Sequence, residues 1–517
     1  MKSRNKNFLI GFLIFLSSIF LIASTLLYFL TDWFSATFNA TIRVLLYTVK
    51  SPLKGADTHF LQNAVRYCAR YETFVILALV AFYFFAVKIC GSLNAKMLVE
   101  LKSKKFNKKT FSLDLKFILI FALTIFSVIF AFYSLNRTDS KIKFREYRAQ
   151  LKAQTRIYED FYVNPKTARI VSPEKKKNLI YIYMESMETT YASVAEGGKQ
   201  SEINYIPHLT QLAKENISFS DKIKGSAGTL GGFHSCAGWT LGALFATSTG
   251  VPFSFPVGGN DMGSRSTFAS GITALGDILK TEGYTQEFLC GSDGNFAGRK
   301  DFFEQHGEYF VFDLFTAKEK GYIAPDYAVW WGFEDEILYK IARDEVTRLA
   351  KEGEPFNFTM LTVDTHHVGG YFCNLCKDEY PENLANVVSC ADRQLFDFIS
   401  WLNEQDFFDD TVIVITGDHP RMDNILINDT PYYDRTVYNC FINAQKTPVK
   451  EIQGRNFTTV DMFPTVISAM GFTLPQNRLG LGVDLFSAEE TLPERIGWDE
   501  FSVEISKYSK FYIDNFS

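Results

Sequence analysis

Histidine is scarce in this 517-residue sequence: only seven are present, so a local gathering of them carries weight. A basic surplus is missing too. Lysine and arginine number 53 against 58 aspartates and glutamates, a net charge of -5, which excludes the electropositive field of a nucleic-acid binder. No internal repeat and no low-complexity tract occurs, so hydropathy alone divides the chain. The CxxC of Cys373 and Cys376, followed by Cys390, lacks a fourth metal ligand at regular spacing. That argues against zinc and for a local disulfide, with Cys376 to Cys390 the favoured pair, although connectivity is not readable from sequence. Cys68 and Cys90 lie in or near apolar segments, whereas Cys236, Cys290 and Cys440 would share the compartment of the CxxC.

What is abundant is phenylalanine, 50 residues, much of it near the N-terminus. Mean hydropathy is close to zero, at -0.02, because two unlike parts average out. Residues 1–136 are apolar with basic punctuation and the remainder reads as a mixed soluble domain. Three stretches are long enough to span a bilayer about 30 Å thick: residues 8–31, residues 73–87 extended through 89–93 by snorkelling of Lys88, and residues 117–136. The first run is too long for a signal peptide and no small-residue cleavage site follows it. Lys2, Arg4 and Lys6 precede it, and Lys96, Lys102, Lys104, Lys105, Lys108, Lys109 and Lys116 fill the loop before the third. Both basic segments are expected inside, which requires three crossings and puts residues 137 onward outside. Arg43, Lys50, Lys54, Arg66 and Arg70 weaken that asymmetry. The loop over 32–71 is then external, with an amphipathic interfacial helix expected over 42–49; a further short membrane segment there, the alternative, would turn the large domain inward.

Residues 137–175 are highly charged and read as a linker or helical stalk. From Lys177 the pattern changes. Residues 178–184, 356–363 and 411–416 are short apolar runs rich in strand formers, and helical patterns cover 206–215 and 386–403. Strands alternating with helices predict an α/β domain with a mostly parallel sheet covered on both faces. The expected organisation is a three-helix membrane anchor over 1–136, the linker over 137–175, a catalytic domain over 176–490 and a C-terminal extension over 491–517 that packs on it.

Polar residues follow each apolar run: Glu185, Ser186 and Glu188 after the first, Asp364, Thr365, His366 and His367 after the second, Asp418 and His419 after the third. Ligands of open α/β sheets bind at the carboxyl ends of the strands. Any one of these residues alone is explained by a helix cap or a surface charge. Three of the seven histidines sitting in two of these motifs favour a metal site, and carboxylates with imidazole suit a divalent ion such as manganese, magnesium or zinc. Between the first two motifs, residues 225–238 are glycine-rich and lead to Thr240 at the start of an apolar helix over 241–248. Backbone N–H groups there favour a phosphate. A metal-activated Thr240 hydroxyl is suited to attack phosphorus. Thr240 also suits an N-cap, and the two roles are compatible.

Glu185 in "YMESME", Thr240 in "GWT", His366 and His367 in "TVDTHH", and Asp418 and His419 in "TGDH" resemble the lipoteichoic acid synthase and phosphoglycerol transferase branch of the alkaline phosphatase/sulfatase superfamily. "FAGRKDFFEQHG", which contains Arg299, reinforces the resemblance, and it covers roughly residues 137–490. The resemblance implies an alkaline phosphatase/sulfatase-like fold behind transmembrane helices, in a bacterial inner membrane with the catalytic domain periplasmic. It implies that Glu185, Thr240, Asp418 and His419 bind a divalent metal, manganese first, with magnesium or zinc as alternatives. Thr240 would be the nucleophile and carry a phospho-alcohol intermediate. His366 and Arg299 would hold the donor phosphate or leaving group, and His367 would either support the site from behind or bind a second metal. The expected reaction moves phosphoglycerol or phosphoethanolamine from a membrane phospholipid to a periplasmic glycan or lipopolysaccharide. A phosphodiesterase or sulfatase-type hydrolase, delivering the group to water, is the alternative. The sulfatase nucleophile motif C/S-x-P-S-R is absent, which favours phosphotransfer. Val368-Gly369-Gly370 stands where the family often has proline after the histidine pair. Phe296-Ala297-Gly298 replaces a segment that carries tryptophan and asparagine in the synthases. Both departures bear on the identity of the substrate.

Overall fold

The computed structural model describes residues 2–38, 42, 45–46, 59–92, 96–103, 106–226, 228–255, 267–327, 329–474 and 476–516. Most of the segment expected as an interfacial helix, 42–49, lies outside the described residues. The chain forms two compact units, residues 1–38 with 58–146, and residues 39–57 with 147–517.

In the first unit, helix α1 (Lys2–Thr37), helix α2 (His59–Tyr83, prolonged by a π-helical turn, Phe84–Ile89) and helix α3 (Leu115–Ile142) lie together. Among the described residues, three helices are long and apolar enough to cross a membrane: Asn7–Thr37, Leu61–Ile89 and Leu115–Ile142. The second starts earlier than expected. Arg66, Arg70 and Glu72 interrupt the apolar run, but the backbone stays helical through them. Large apolar side chains such as Phe8, Phe74 and Phe132 point outward. Several polar groups find partners between helices instead: Ser17 with Tyr83 at 2.6 Å, Thr31 with Thr138 at 2.8 Å, and Asp32 with Arg137 and Tyr67. This is the arrangement expected where no water satisfies them. The basic loop between the second and third helices forms an antiparallel hairpin, β1 (Lys96–Ser103) with β2 (Phe106–Asp114).

The second unit is built on a six-stranded sheet. Its strands are β3 (Asn178–Met184), β4 (Thr285–Cys290), β5 (Phe310–Phe312), β6 (Phe356–Leu361), β7 (Thr411–Gly417) and β8 (Asn439–Ile442), in the order β5-β4-β6-β3-β7-β8. All pairings are parallel except that of edge strand β8 with β7. Side chains alternate between two cores. Leu179, Tyr181 and Tyr183 of β3 and Val412 and Val414 of β7 enter one; Ile180, Ile182, Met184, Ile413 and Ile415 enter the other. Helices α4 (Pro207–Glu215), α7 (Asp335–Glu352) and α8 (Asn383–Asn403) cover the second face, and α5 (Thr240–Thr249) and α9 (Met462–Ala469) the first, with the short α6 (Arg299–Gln305) packed on that side. This is an α/β domain with a mostly parallel sheet covered on both faces, and its two buried faces explain why β3, β6 and β7 read as unbroken apolar runs. Strands β4, β5 and β8 escape that pattern because they are short or carry Gln286, Glu287 and Asn439 inside the sheet.

The segment expected as a stalk divides between elements. Helix α3 takes its first residues, while Ile157 and Tyr158 are buried in the first core, Val163 pairs with Gly480 and Val171 with Thr473. At the C-terminus, Phe501, Tyr512 and Phe516 are buried in the same core. All eight cysteines are free thiols. The expected Cys376–Cys390 bond is not formed: the turn that hydrogen-bonds Cys376 N–H to Cys373 O at 3.1 Å puts Cys373 between the other two.

Candidate metal and nucleophile site

Sheet register assembles the site. Met184 at the end of β3 lies opposite Gly417 of β7, and Tyr183 opposite Leu361 of β6, so the three motifs leave the sheet level with one another. Ser186, at φ +52°, turns the chain just beyond β3. Its N–H donates to Asp418 Oδ1 at 2.8 Å, while Glu185 N–H donates to Thr362 Oγ1 at 3.0 Å. Thr365 Oγ1 donates to Glu185 O at 2.5 Å, and Arg421 Nη1 donates to Thr365 O. Main-chain and side-chain bonds thus fix the ends of three strands, leaving little freedom to the carboxylates they carry.

At the centre, Glu185 and Asp418 are 2% and 0% exposed and His419 is 1% exposed. His419 Nε2 lies 3.7 Å from Glu185 Oε1 and 3.4 Å from Asp418 Oδ2. His419 Nδ1 donates to Pro420 O at 2.9 Å, which turns the Nε2 lone pair toward the carboxylates. Asp418 Oδ1 accepts from two backbone N–H groups, of Ser186 and His419, but the buried Oδ2 has no hydrogen-bond partner. Burial and then the neighbouring Glu185 charge push the Asp418 carboxyl up to about 7. Burial works against the Glu185 charge as well, yet His366 and His419 and the hydroxyls of Ser186 and Thr240 hold that carboxyl below its ordinary value. Ligand atoms from Glu185, Asp418 and His419 lie within 4.8 Å of one another. Two carboxylate oxygens and an imidazole lone pair, converging on one point with an orphaned oxygen among them, fit a divalent cation.

Thr240 faces this cluster. Its Oγ1 donates to Glu185 Oε2 at 3.1 Å and lies 3.5 Å from His419 Nε2. It is not the N-cap: Trp239, with extended backbone, holds that position, and Thr240 is the first helical residue of α5. Its hydroxyl faces the acids, at the end of a helix where the first N–H groups have no partner within the helix.

The remaining expected residues form a wall. His366 is half-buried, its Nδ1 is 2.7 Å from His367 O, and its ring stacks on His367 at 4.4 Å. Burial lowers the basicity of both histidines, most strongly that of His367, which is 4% exposed. Arg299 is anchored by its own loop, with Nη2 donating to Ser292 Oγ and Asp293 O, and Nε to Phe296 O. Its guanidinium stands 5.6 Å from the Phe296 ring; Phe296 meets Trp331 at 5.4 Å, and Trp331 meets His366 edge-on at 4.7 Å. Trp331 is the residue that sequence reading missed. It sits in a loop without periodic pattern, and only the paired tryptophans at 330–331 hint at it. Also missed are Arg421 and Arg435, both buried. Arg421 pairs with Asp423 at 2.6 Å; Arg435 pairs with Glu188, whose Oε1 also accepts from Arg421 N–H. Asp364 accepts from Asp335 N–H and, with Asp335, closes a reciprocal backbone clamp.

The sulfatase family model matches residues 177–472, and the chain belongs to that family. It is similar to phosphoglycerol transferase I of Salmonella arizonae, 31% identical over 374 residues, covering 70% of this chain and 46% of that protein. The same protein of Salmonella choleraesuis aligns with the same identity and coverage. The chain therefore spans just under half the length of these relatives. Among solved structures, the integral membrane lipooligosaccharide phosphoethanolamine transferase A of Neisseria meningitidis shares the fold, with a TM-score of 0.50 at 13% identity, covering 88% of this chain and 83% of that one.

Proposed function

We propose that the chain is a membrane-anchored phosphotransferase that moves a phospho-alcohol head group, phosphoglycerol or phosphoethanolamine, from a membrane phospholipid to an extracytoplasmic glycan or lipopolysaccharide. The observation that carries this reading is the placement of Thr240 Oγ1 at a helix N-terminus, 3.1 Å from Glu185 and 3.5 Å from His419. The similarity to phosphoglycerol transferase I supports the reaction class. Three helices of membrane-spanning length support an anchor in the bacterial inner membrane, crossing three times with residues 137 onward in the periplasm.

Glu185, Asp418 and His419, with Thr240 Oγ1, hold the divalent cation in this reading; manganese is the first candidate and magnesium or zinc the alternatives. The cation supplies positive charge beside the threonine hydroxyl and the donor phosphate, which favours the alkoxide and offsets charge built up on the phosphoryl oxygens. Thr240 Oγ1, whose proton points at Glu185 Oε2, attacks phosphorus. The ester bond to diacylglycerol breaks, diacylglycerol leaves with a proton, and the head group stays on Thr240 as a phosphodiester. A sugar hydroxyl then attacks the same phosphorus, loses its proton and regenerates Thr240. His366 and Arg299 bind phosphate oxygens and steady the leaving group, and the His367 ring fixes His366 from behind.

The test uses membranes containing the chain, manganese, and phosphatidylglycerol or phosphatidylethanolamine labelled in the head group. The expected result is label on endogenous glycan or lipopolysaccharide from one donor, absent with Thr240→Ala. Diacylglycerol release with all label free in solution would instead make the chain a phosphodiesterase. Metal-independent turnover would overturn the role given to the cation, and no turnover of either lipid would overturn the donor class.

A further inference from the structure

The second cluster of metal-ligating side chains lies away from the carboxylates, where the chain leaves the His366–His367 turn and meets helix α8. Cys373 and Cys390 are buried, 3% and 1% exposed, and Cys376 is half-buried. Cys373 Sγ is 3.6 Å from Cys376 Sγ and 3.8 Å from Cys390 Sγ, and the three sulfurs lie within 4.8 Å of one another. At a metal–sulfur distance of about 2.3 Å, the edge of a tetrahedron of thiolates is about 3.8 Å. The two measured edges match that length, whereas a covalent disulfide needs about 2.05 Å.

The fourth corner is also supplied. Gln394, one turn after Cys390 on α8 and 6% exposed, brings its amide Nε2 to 3.4 Å from Cys390 Sγ and 3.7 Å from Cys373 Sγ. With an oxygen about 2.1 Å from the ion, the oxygen–sulfur edge is about 3.6 Å. The two ends of a glutamine amide differ only in N and O, and turning it over puts Oε1 at that corner. In the orientation with Nε2 toward the sulfurs, Oε1 is buried with no hydrogen-bond partner, and turning the amide over brings that orphaned acceptor to face them. Chain spacing hid this site: the third sulfur and the amide come from a helix that follows the CxxC by an irregular loop.

We propose that Cys373, Cys376 and Cys390, with the Gln394 amide oxygen, form a tetrahedral site for a thiophilic divalent cation of the zinc class, distinct from the Glu185 site. Binding releases three thiol protons to solvent and leaves three thiolates on the ion. The ion ties residues 373–376, just beyond the histidine turn, to α8. Cobalt(II) is the probe, added to the full-length protein purified in detergent, reduced and freed of metal. Thiolate coordination gives a sulfur-to-cobalt charge-transfer band in the near ultraviolet, which an oxygen and nitrogen site does not. The band is expected in the parent and in Thr240→Ala, and lost in Cys376→Ser and in Cys390→Ser; the half-buried Cys376 is the substitution least disruptive to folding. Absence of the band from the parent, or its survival in Cys376→Ser, would overturn the site. So would peptide mapping of protein thiol-blocked at lysis that finds two of the three cysteines joined as a disulfide.

Discussion

Glu185 and Glu188 stand three residues apart in one motif, both all but fully buried, yet their surroundings are opposite. Glu188 meets its countercharge within the chain: Arg435 grips both its oxygens and Thr190 donates to it at 2.6 Å. Glu185 shares its space with a second carboxylate, Asp418, and an imidazole lone pair. One acid is neutralised by the fold and the other is part of a locally acidic set. A buried pair of like charges costs stability unless a cation joins it, so Glu188 is placed to hold the fold, whereas Glu185 is placed where the proposed cation would sit. The strand pattern placed both at the end of β3, and only the family resemblance singled out Glu185.

The sharpest way to break this comparison is at its functional end. Thr240→Ala is expected to lower head-group turnover by at least about 10³-fold while the protein stays folded, checked by the labelled-lipid assay beside a thermal melt. Glu185→Gln should likewise abolish turnover. It removes one of two repelling carboxyls, so the metal-free variant is expected to melt no lower than the metal-free parent. Calorimetry of both after chelation checks this; a lower melting temperature would mean Glu185 contributes to the fold as Glu188 does.

Glu188→Gln should do the reverse. Truncating one partner of a buried ion pair strands the other, at a cost of about 3–5 kcal/mol, and Arg435 has no exposed route to solvent. Urea unfolding of the detergent-solubilised protein should show that loss, while the folded fraction keeps its metal affinity. Loss of metal affinity with unchanged stability would erase the distinction between the two acids.

Protonation offers a gentler test. Asp418, pushed up to about 7 by burial and by Glu185, must release its proton to hold a cation. Metal affinity should therefore fall as pH drops below about 7, measured by isothermal titration across the range. In the metal-free protein the sign runs the other way. The folded carboxyl binds its proton more tightly than the unfolded one, so its contribution to stability is complete below the unfolded value near 3.8 and is lost as pH rises through about 7. His419, whose proton is favoured by Asp418 and Glu185 despite the opposing effect of burial, adds to the same trend. Asp418→Asn should flatten the fall in melting temperature between about pH 4 and 7.

Legibility followed burial pattern. Strands β3, β6 and β7 were readable because both faces are covered, and their ends delivered Glu185, His366, His367, Asp418 and His419 to one edge. Strands β4, β5 and β8, with polar or very few residues, were not. Thr240 was found through its helix start, but its turn away from the helix toward Glu185 depends on packing that no local pattern encodes. Trp331, Arg421 and Arg435 each reach a partner 35 to 247 positions distant in the chain, His366, Thr365 and Glu188. The expected disulfide failed for a related reason, since a spacing rule cannot place Cys373 between Cys376 and Cys390 as the tertiary structure does.

The smallest effect is expected one layer behind the site. Tyr183, on β3 two residues before Glu185, shares a hydrogen bond with Thr247 of α5 at 2.7 Å, joining the strand that carries the acid to the helix that carries Thr240. Both residues are buried and the bond is neutral, so Tyr183→Phe should cost about 1 kcal/mol. If the hydroxyl only fills the core, turnover per folded molecule is unchanged. If the bond sets the distance between Glu185 and Thr240, kcat falls while metal affinity holds, because a small misplacement of a nucleophile slows reaction more than it weakens binding. The latter is expected, since Thr247 lies two turns along the helix from Thr240 and a shift of α5 along its axis moves both. Steady-state kinetics at saturating metal distinguishes the two.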